Sequence, residues 1–199
     1  MFFLAANTLH AQKKIEKSFR NQNIKTVHLE LDYVFNVIIK TLRTNEVRIT
    51  AESEGEFASY FNLEAKETEE SLSIKSTVDF TFEDANDKLS AHKVQAISIV
   101  ITVPEHIEVT IKSDIGNLEA HGSYRALTVQ LTSGNCVVNH ARGEIKVSAI
   151  MGNITAYTNY AKVTAETRQG KLLVEEITPG KSSYMLKSIK GDITVKKKK

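Results

Sequence analysis

The chain has 199 residues, of which 41% are hydrophobic and 25% are charged, with 9 Gly, 2 Pro and 1 Cys. This composition excludes a disordered chain, a collagen and a disulfide scaffold, and the length fits one ordinary domain. The net charge is +2, and removing the four lysines at 196–199 leaves residues 1–195 at −2. A body this close to neutral gives no electrostatic reason to expect a nucleic-acid partner. No run of 18 apolar residues occurs, so the sequence predicts no transmembrane helix.

The first eleven residues differ from the rest. Residues 2–6 are apolar, and Ala11 then places a small residue shortly before the charged stretch 13–17. This pattern predicts the last part of a secretory signal peptide at 1–11, followed by a flexible segment at 12–23. We therefore expect an exported protein, in the periplasm, on the outer surface or secreted. The alternative is a frayed cytoplasmic terminus.

A glycine followed by a polar residue recurs in the second half of the chain, with spacings of 18, 18, 18 and 21 residues. A fixed period near 20 is typical of a solenoid, in which each repeat buries its apolar face only by stacking on its neighbours. The corners are Gly116-Asn117, Gly134-Asn135, Gly152-Asn153, Gly170-Lys171 and Gly191-Asp192.

Apolar residues occupy the same four positions around each corner: seven and five before the glycine, and two and four after it. Period two on both sides of a turn indicates a strand, a corner and a second strand, with alternate side chains pointing inward. A string of antiparallel hairpins would bring unlike positions together, whereas coiling stacks like on like. We therefore expect Val129 to lie beside Ile111 and Val147, and Asn117, Asn135 and Asn153 to stack at the corner.

These patterns predict an all-β fold, a right-handed parallel β-solenoid shaped as a flattened two-sheet roll over residues 24–195. Regular coils of about 18 residues begin at 107. Residues 24–107 are expected to form irregular coils or hairpins that cap the N-terminal end. The lysine tail 196–199 is expected to block strand pairing at the open end, and the alternative is a patch for an anionic polymer.

A family resemblance rests on the stretch 100–118. Val100-Ile-Thr-Val-Pro104, then Ile107-Glu-Val-Thr-Ile111, then Gly116-Asn-Leu118 and further Gly-Asn corners follow one another. This order resembles the bacterial putative-adhesin family, and the resemblance covers about residues 24–195. It implies a β-solenoid that is exported and associated with the surface or envelope, with no assigned catalytic residues.

Motifs for chemistry are absent from the sequence. It contains no GxSxG, no HExxH and no phosphate-binding glycine loop, and its six histidines form no ligand cluster. Cys136 falls in an inward column, which favours a small buried hydrophobe over a nucleophile. The acidic stretch 83–87 lacks the glycine and the closing glutamate of the hand-type calcium loop. We therefore predict no enzyme activity, no cofactor and no metal.

One outward column is partly apolar. It contains Val137, Thr155 and Leu173, each three residues after a corner glycine, with Tyr157 two positions beyond Thr155. Stacked coils would align these four residues, named here the predicted strip. It is either a contact surface for a protein, a glycan or a second copy, or it lies under the loop 83–93.

The sequence thus predicts a non-enzymatic, adhesin-like binding module at the cell envelope, with an unidentified protein or glycan as partner. Two alternatives stay open. One is an envelope enzyme that acts on polysaccharide, since some parallel β-helices cleave glycans. The other is a structural assembly subunit that associates through a face or an end of the solenoid.

Overall fold

The computed structural model describes residues 12–54, 58–79 and 96–197, and within these ranges the fold is all-β. The expected signal segment 1–11 and the loop 83–93 lie outside the described residues. One 3-10 turn spans Ala58–Tyr60. The strands are β1 (Gln12–Arg20), β2 (Thr26–Glu30), β3 (Asn36–Leu42), β4 (Glu46–Glu54), β5 (Phe61–Glu67), β6 (Ser71–Val78), β7 (Ala96–Pro104), β8 (Glu108–Ile115), β9 (Asn117–Ser133), β10 (Cys136–Met151), β11 (Ile154–Tyr157), β12 (Tyr160–Gln169), β13 (Leu172–Val174), β14 (Thr178–Lys190) and β15 (Ile193–Lys196).

The strands form one connected sheet with two series of strands, called layer 1 and layer 2, which share β9 and β10: residues 117–121 of β9 pair with β3, and residues 126–133 pair with β8. Layer 1 has the order β1-β4-β7-β3-β9-β10-β11-β15-β13. Layer 2 has the order β5-β6-β2-β8-β9-β10-β14-β12. The pairs β1–β4, β4–β7 and β5–β6 are antiparallel and the others are parallel, so the sheet is mixed. One cluster of buried side chains lies between the layers.

The central coils stack in the predicted register. Val129 of β9 is the parallel partner of Ile111 in β8 and of Val147 in β10. All three are fully buried. Since burial of one aliphatic side chain contributes about 1.5–3 kcal/mol, the stacked inward columns supply much of the stability of this region. The 18-residue repeat is therefore confirmed between residues 109 and 156.

The corners are held by the predicted asparagine ladder. The Asn117 side-chain oxygen accepts a hydrogen bond from the Asn135 backbone N–H at 3.1 Å, and the Asn135 oxygen accepts one from the Asn153 N–H at 3.0 Å. Gly134 has a φ of +126°, and a Cβ atom there would lie 1.8 Å from the carbonyl oxygen of Gly116. The corner therefore needs glycine both for its dihedral angle and for the close approach of the coil below.

The last two coils are in a different order from the one expected. The repeat predicts that the coil of Gly170 stacks on that of Gly152, but β14 lies between β10 and β12. β15 likewise lies between β11 and β13. The ladder follows this spatial order, because the Asn153 oxygen accepts from the N–H of Asp192 at 2.7 Å and the Asp192 carboxylate from that of Lys171 at 2.6 Å.

Side-chain size favours the exchange in layer 2. Tyr184 and Leu186 of β14 are buried, whereas Val163 and Ala165 of β12 are only half-buried. The larger pair gains more from complete burial, so it occupies the interior position. The Tyr184 hydroxyl also donates a hydrogen bond to the carbonyl of Ala141 at 2.5 Å, which ties β14 to β10.

In the outermost coil, the inward-pointing side chains of β13 are not covered. Leu172 and Val174 of β13 are 49% and 44% exposed, although the sequence predicts that both point into the core. Ile193, the register partner of Leu172, is 0% exposed. The difference arises because β13 pairs with β15 alone and no further described coil covers it.

The first two lysines of the tail, Lys196 and Lys197, do not lie at this open edge. β15 ends at Lys196 and is an interior strand of layer 1, between β11 and β13. The backbone N–H of Lys197 donates to the carboxylate of Glu175 at 2.7 Å. The expectation that these lysines block an open strand edge is therefore wrong for Lys196 and Lys197.

The N-terminal part contains the irregular strands expected there, with one correction. Residues 12–23 are predicted to be flexible, but Gln12–Arg20 forms β1 and pairs with β4 over its whole length. The half-buried Ile15 and Phe19 pack against the core and give this strand an apolar face. No helix in the described ranges has the length and apolar character that crossing a membrane requires.

Candidate functional site: two outer faces

The predicted strip lies on the outer face of layer 1. Val137 of β10 is the partner of Thr155 in β11, as expected. Leu173 is not the next residue in this column, because Thr194 of β15 lies between it and Thr155. Tyr157 pairs with Asn139 and Lys196 and so belongs to a neighbouring column. The structure therefore keeps three of the four residues adjacent and displaces Leu173 by one strand.

The apolar column continues beyond the repeats. On the other side of Val137 lies Glu119, then Ile38 of β3 and Val100 of β7. Ile38 and Val100 are exposed and line a shallow depression of 560 Å³ together with Val137. Glu119 interrupts the column, and its carboxylate lies 2.9 Å from the Nε2 atom of His121. The sequence did not indicate this extension, because β3 and β7 lie outside the 18-residue period.

A second depression, of 530 Å³, lies on the outer face of layer 2. Two adjacent outward columns form it, five residues in each. In spatial order, the columns are Lys112, Gln130, Ser148, Lys187 and Glu166, then Asp114, Thr132, Ile150, Ile189 and Arg168. The residues of the second column are each two positions before a corner glycine.

Two exposed isoleucines form the centre of this surface. Ile150 and Ile189 lie side by side, since their neighbours pair as Ala149 with Ser188 and Met151 with Lys190. They are 48% and 39% exposed. An isolated exposed isoleucine is ordinary, but an adjacent pair in a concave surface is a candidate contact site.

The rim of the isoleucine surface is polar and carries both signs of charge. On one side the Thr132 hydroxyl donates to the carboxylate of Asp114 at 3.4 Å. On the other side Lys187 and Glu166 form an ion pair at 3.4 Å. An apolar centre with a polar rim is the composition of many protein-binding surfaces.

Sequence reasoning missed the isoleucine pair because it depends on strand order. In the expected order Ile150 would lie between Thr132 and Arg168, with no apolar neighbour in its column. The insertion of β14 brings Ile189 beside it. The signal available in the sequence was that an isoleucine stands two positions before the corner glycine at two of the corners.

The titratable groups give no reactive centre among the described residues. Burial raises the pKa of the Cys136 thiol to about 12, so the thiol stays protonated at neutral pH and is a poor nucleophile. Burial and the nearby Asp114 carboxylate raise the pKa of Asp32 above its ordinary value. In the described part of the chain, no three His, Cys, Asp or Glu side chains are grouped to hold a metal ion.

No protein-family model matches the chain, and no curated protein matches it in sequence. Its fold is similar to that of a putative cell adhesion protein from Clostridium sporogenes, with 15% identity, a TM-score of 0.65 and coverage of 94% of this chain and 100% of the other. Weaker matches include putative adhesins from Bacteroides fragilis (12% identity, TM-score 0.42, 94% and 97% covered) and Parabacteroides distasonis (11% identity, TM-score 0.40, 92% and 97% covered). At these identities the first likeness shows the fold alone. It confirms the resemblance to putative-adhesin proteins at that level.

Proposed function

We propose that this chain is a non-enzymatic, adhesin-like binding module that is exported and works at the cell envelope. The parallel coils wind as a right-handed solenoid in this proposal, and they form a rigid scaffold whose outer faces contact the partner. The shared fold with a protein named for cell adhesion supports this function. So do two outward surfaces with exposed apolar residues.

The observation that carries the proposal is the pair Ile150 and Ile189 on the outer face of layer 2. Its partner is a protein segment with an apolar side chain flanked by charged residues. An aliphatic centre offers no hydrogen-bond partner to sugar hydroxyls, whereas it packs well against another apolar side chain. The charged rim then orients the segment and contributes specificity.

The predicted strip is the second contact surface in this proposal. Val137, Thr155, Tyr157 and Leu173 combine apolar contact area with a hydroxyl and a phenol. A ring with a polar tip contacts either protein or glycan, so this surface accepts both classes of partner. A partner that used the strip would be sensitive to Tyr157→Ala and insensitive to changes at the isoleucine pair.

Replacement of the isoleucine pair tests the proposal directly. The chain is screened for binding to a panel of extracellular-matrix proteins and to an array of envelope glycans. We expect protein binding that falls at least about tenfold in Ile150→Lys with Ile189→Lys, because two central contacts are lost. Lys146→Ala, a change at another exposed position of the same face, serves as the matched control and should bind normally.

Two results would overturn the proposal. The first is undiminished binding both in the folded double variant and in Tyr157→Ala, which would leave neither surface as the contact site. The second is release of shorter fragments when the protein is incubated with envelope polysaccharide, which would favour the enzyme alternative. Fractionation of the cells that naturally produce the protein tests the location separately, because a purely cytoplasmic protein there contradicts export.

A further inference from the structure

The outermost coil presents an apolar strand edge. β12 pairs only with β14, and β13 pairs only with β15, within the described residues. Leu172, Leu173 and Val174 are all exposed there. An unpaired strand edge with exposed apolar side chains favours the addition of another strand.

We infer that a second copy of this chain covers the edge, with the two β12 strands antiparallel and Thr164 on the twofold axis. In this register Lys162 of one copy lies opposite Glu166 of the other, and the reverse pair forms by symmetry. Lys162, Thr164 and Glu166 are all exposed on the outer face of layer 2. Opposite charges directly across an antiparallel pair are stabilising.

The charge pattern selects this register over its neighbours. A register shifted by one residue would place outward side chains opposite inward ones. It is disfavoured because the half-buried Val163 and Ala165 would then lie opposite exposed side chains. Centring the pair on Ala165 places Lys162 opposite Arg168, so that like charges meet. Centring it on Val163 leaves Lys162 opposite Thr164 and creates no ion pair. Only the pairing about Thr164 gives two Lys–Glu pairs.

The same register continues the core between the two copies. Val163 of one copy lies opposite Ala165 of the other, on the inward side of β12. β13, with the exposed Leu172 and Val174, is the terminal strand of layer 1 at the same end of the stack, so the second copy also approaches this edge. The interface uses the same residues on both copies and closes as a dimer, so it does not propagate into a fibre.

Charge exchange tests the register. Sedimentation velocity measures the dimerisation constant of the full chain and of three variants. Lys162→Glu or Glu166→Lys places like charges opposite each other twice per dimer and should weaken association about tenfold. The double variant restores two opposite pairs and should return to within about threefold of the original constant. Lys162 lies outside the isoleucine surface, so Lys162→Glu leaves binding of other partners unchanged.

A cysteine on the axis gives an independent readout. Thr164→Cys should form an intermolecular disulfide on mild oxidation, since residues opposite each other in an antiparallel pair have Cα atoms about 4.5–5.5 Å apart. Lys146→Cys is the matched control: it is exposed on the same face but two strands further from the edge. Three results overturn the inference: a monomer up to about 100 µM, no recovery in the double charge variant, or equal cross-linking at 146 and 164.

Discussion

Leu186 of β14 is the direct register partner of Val147 of β10, and both side chains are fully buried between the two layers. This contact fixes the position of the C-terminal strands. It places Ile189 beside Ile150 on the outer face, and it leaves β12 as the outermost strand of layer 2. The candidate binding surface and the proposed dimer edge both depend on it.

Leucines in equivalent repeat positions should differ sharply in their contribution to stability. Leu186→Ala removes a fully buried side chain and should lower the free energy of unfolding by about 2–5 kcal/mol. Leu172→Ala, at an inward position of the repeat, should cost under about 1 kcal/mol because this side chain is 49% exposed. Urea unfolding of both variants measures the difference. Equal losses would contradict the observed coil order.

The corner glycine should tolerate no side chain. Gly134→Ala places a Cβ against the carbonyl of Gly116 in a backbone conformation that alanine disfavours, and should cost about 2 kcal/mol or more. The melting temperature of a chain of this length would then fall by about 4–8 °C. Lys146→Ala, at an exposed position of an adjoining coil, should change it by less than about 2 °C. If calorimetry gave the same change in melting temperature for both variants, it would contradict the requirement for glycine at this corner.

The single cysteine should be inert in the folded protein. Cys136 is buried and the pKa of its thiol is raised to about 12, so at pH 8 the thiol is neither accessible to a reagent nor ionised. Labelling with a thiol reagent should be complete in urea and nearly absent without it. Rapid labelling of the native protein would contradict the inward position of this residue.

Asp32 should destabilise the fold at neutral pH. Burial and Asp114 raise the pKa of its carboxyl in the folded state, so folding favours the protonated form. The resulting cost is fully present above the raised pKa and vanishes as the pH falls below the ordinary value of 3.8. Asp32→Asn should therefore raise the melting temperature at pH 7, and this gain should disappear below about pH 4. A lower melting temperature at pH 7 would contradict this cause.

The sequence predicts the contacts between successive coils but not the order of all coils. Period two and the 18-residue spacing place Val129 beside Ile111 and Val147, because a one-residue slip would turn a whole column outward. The inward positions of the Gly170 and Gly191 coils are all apolar, so periodicity does not distinguish which coil is interior. Their order depends on the volumes of the buried side chains, as at Tyr184.

The candidate surfaces were likewise predictable where they lie within the regular repeat and unpredictable where they depend on strand order. The contact between Val137 and Thr155 was predictable because both lie in successive coils of the regular repeat. The contributions of Ile38 and Ile189 to these surfaces were not predictable. Ile38 belongs to an irregular coil, and Ile189 lies beside its neighbour only because of the changed strand order. Surface residues of this kind become visible only after non-local pairing is known.

The strand order itself is tested most directly by a pair of engineered disulfides. Ser148 is the register partner of Lys187, whereas Glu166 lies one strand further away. Adjacent strands are about 4.8 Å apart, within disulfide range, and alternate strands are about 9.6 Å apart, beyond it. Mass spectrometry after oxidation should find a complete intrachain disulfide in Ser148→Cys with Lys187→Cys and none in Ser148→Cys with Glu166→Cys. The reverse result would show that the coils stack in chain order, which contradicts the isoleucine surface and the dimer edge together.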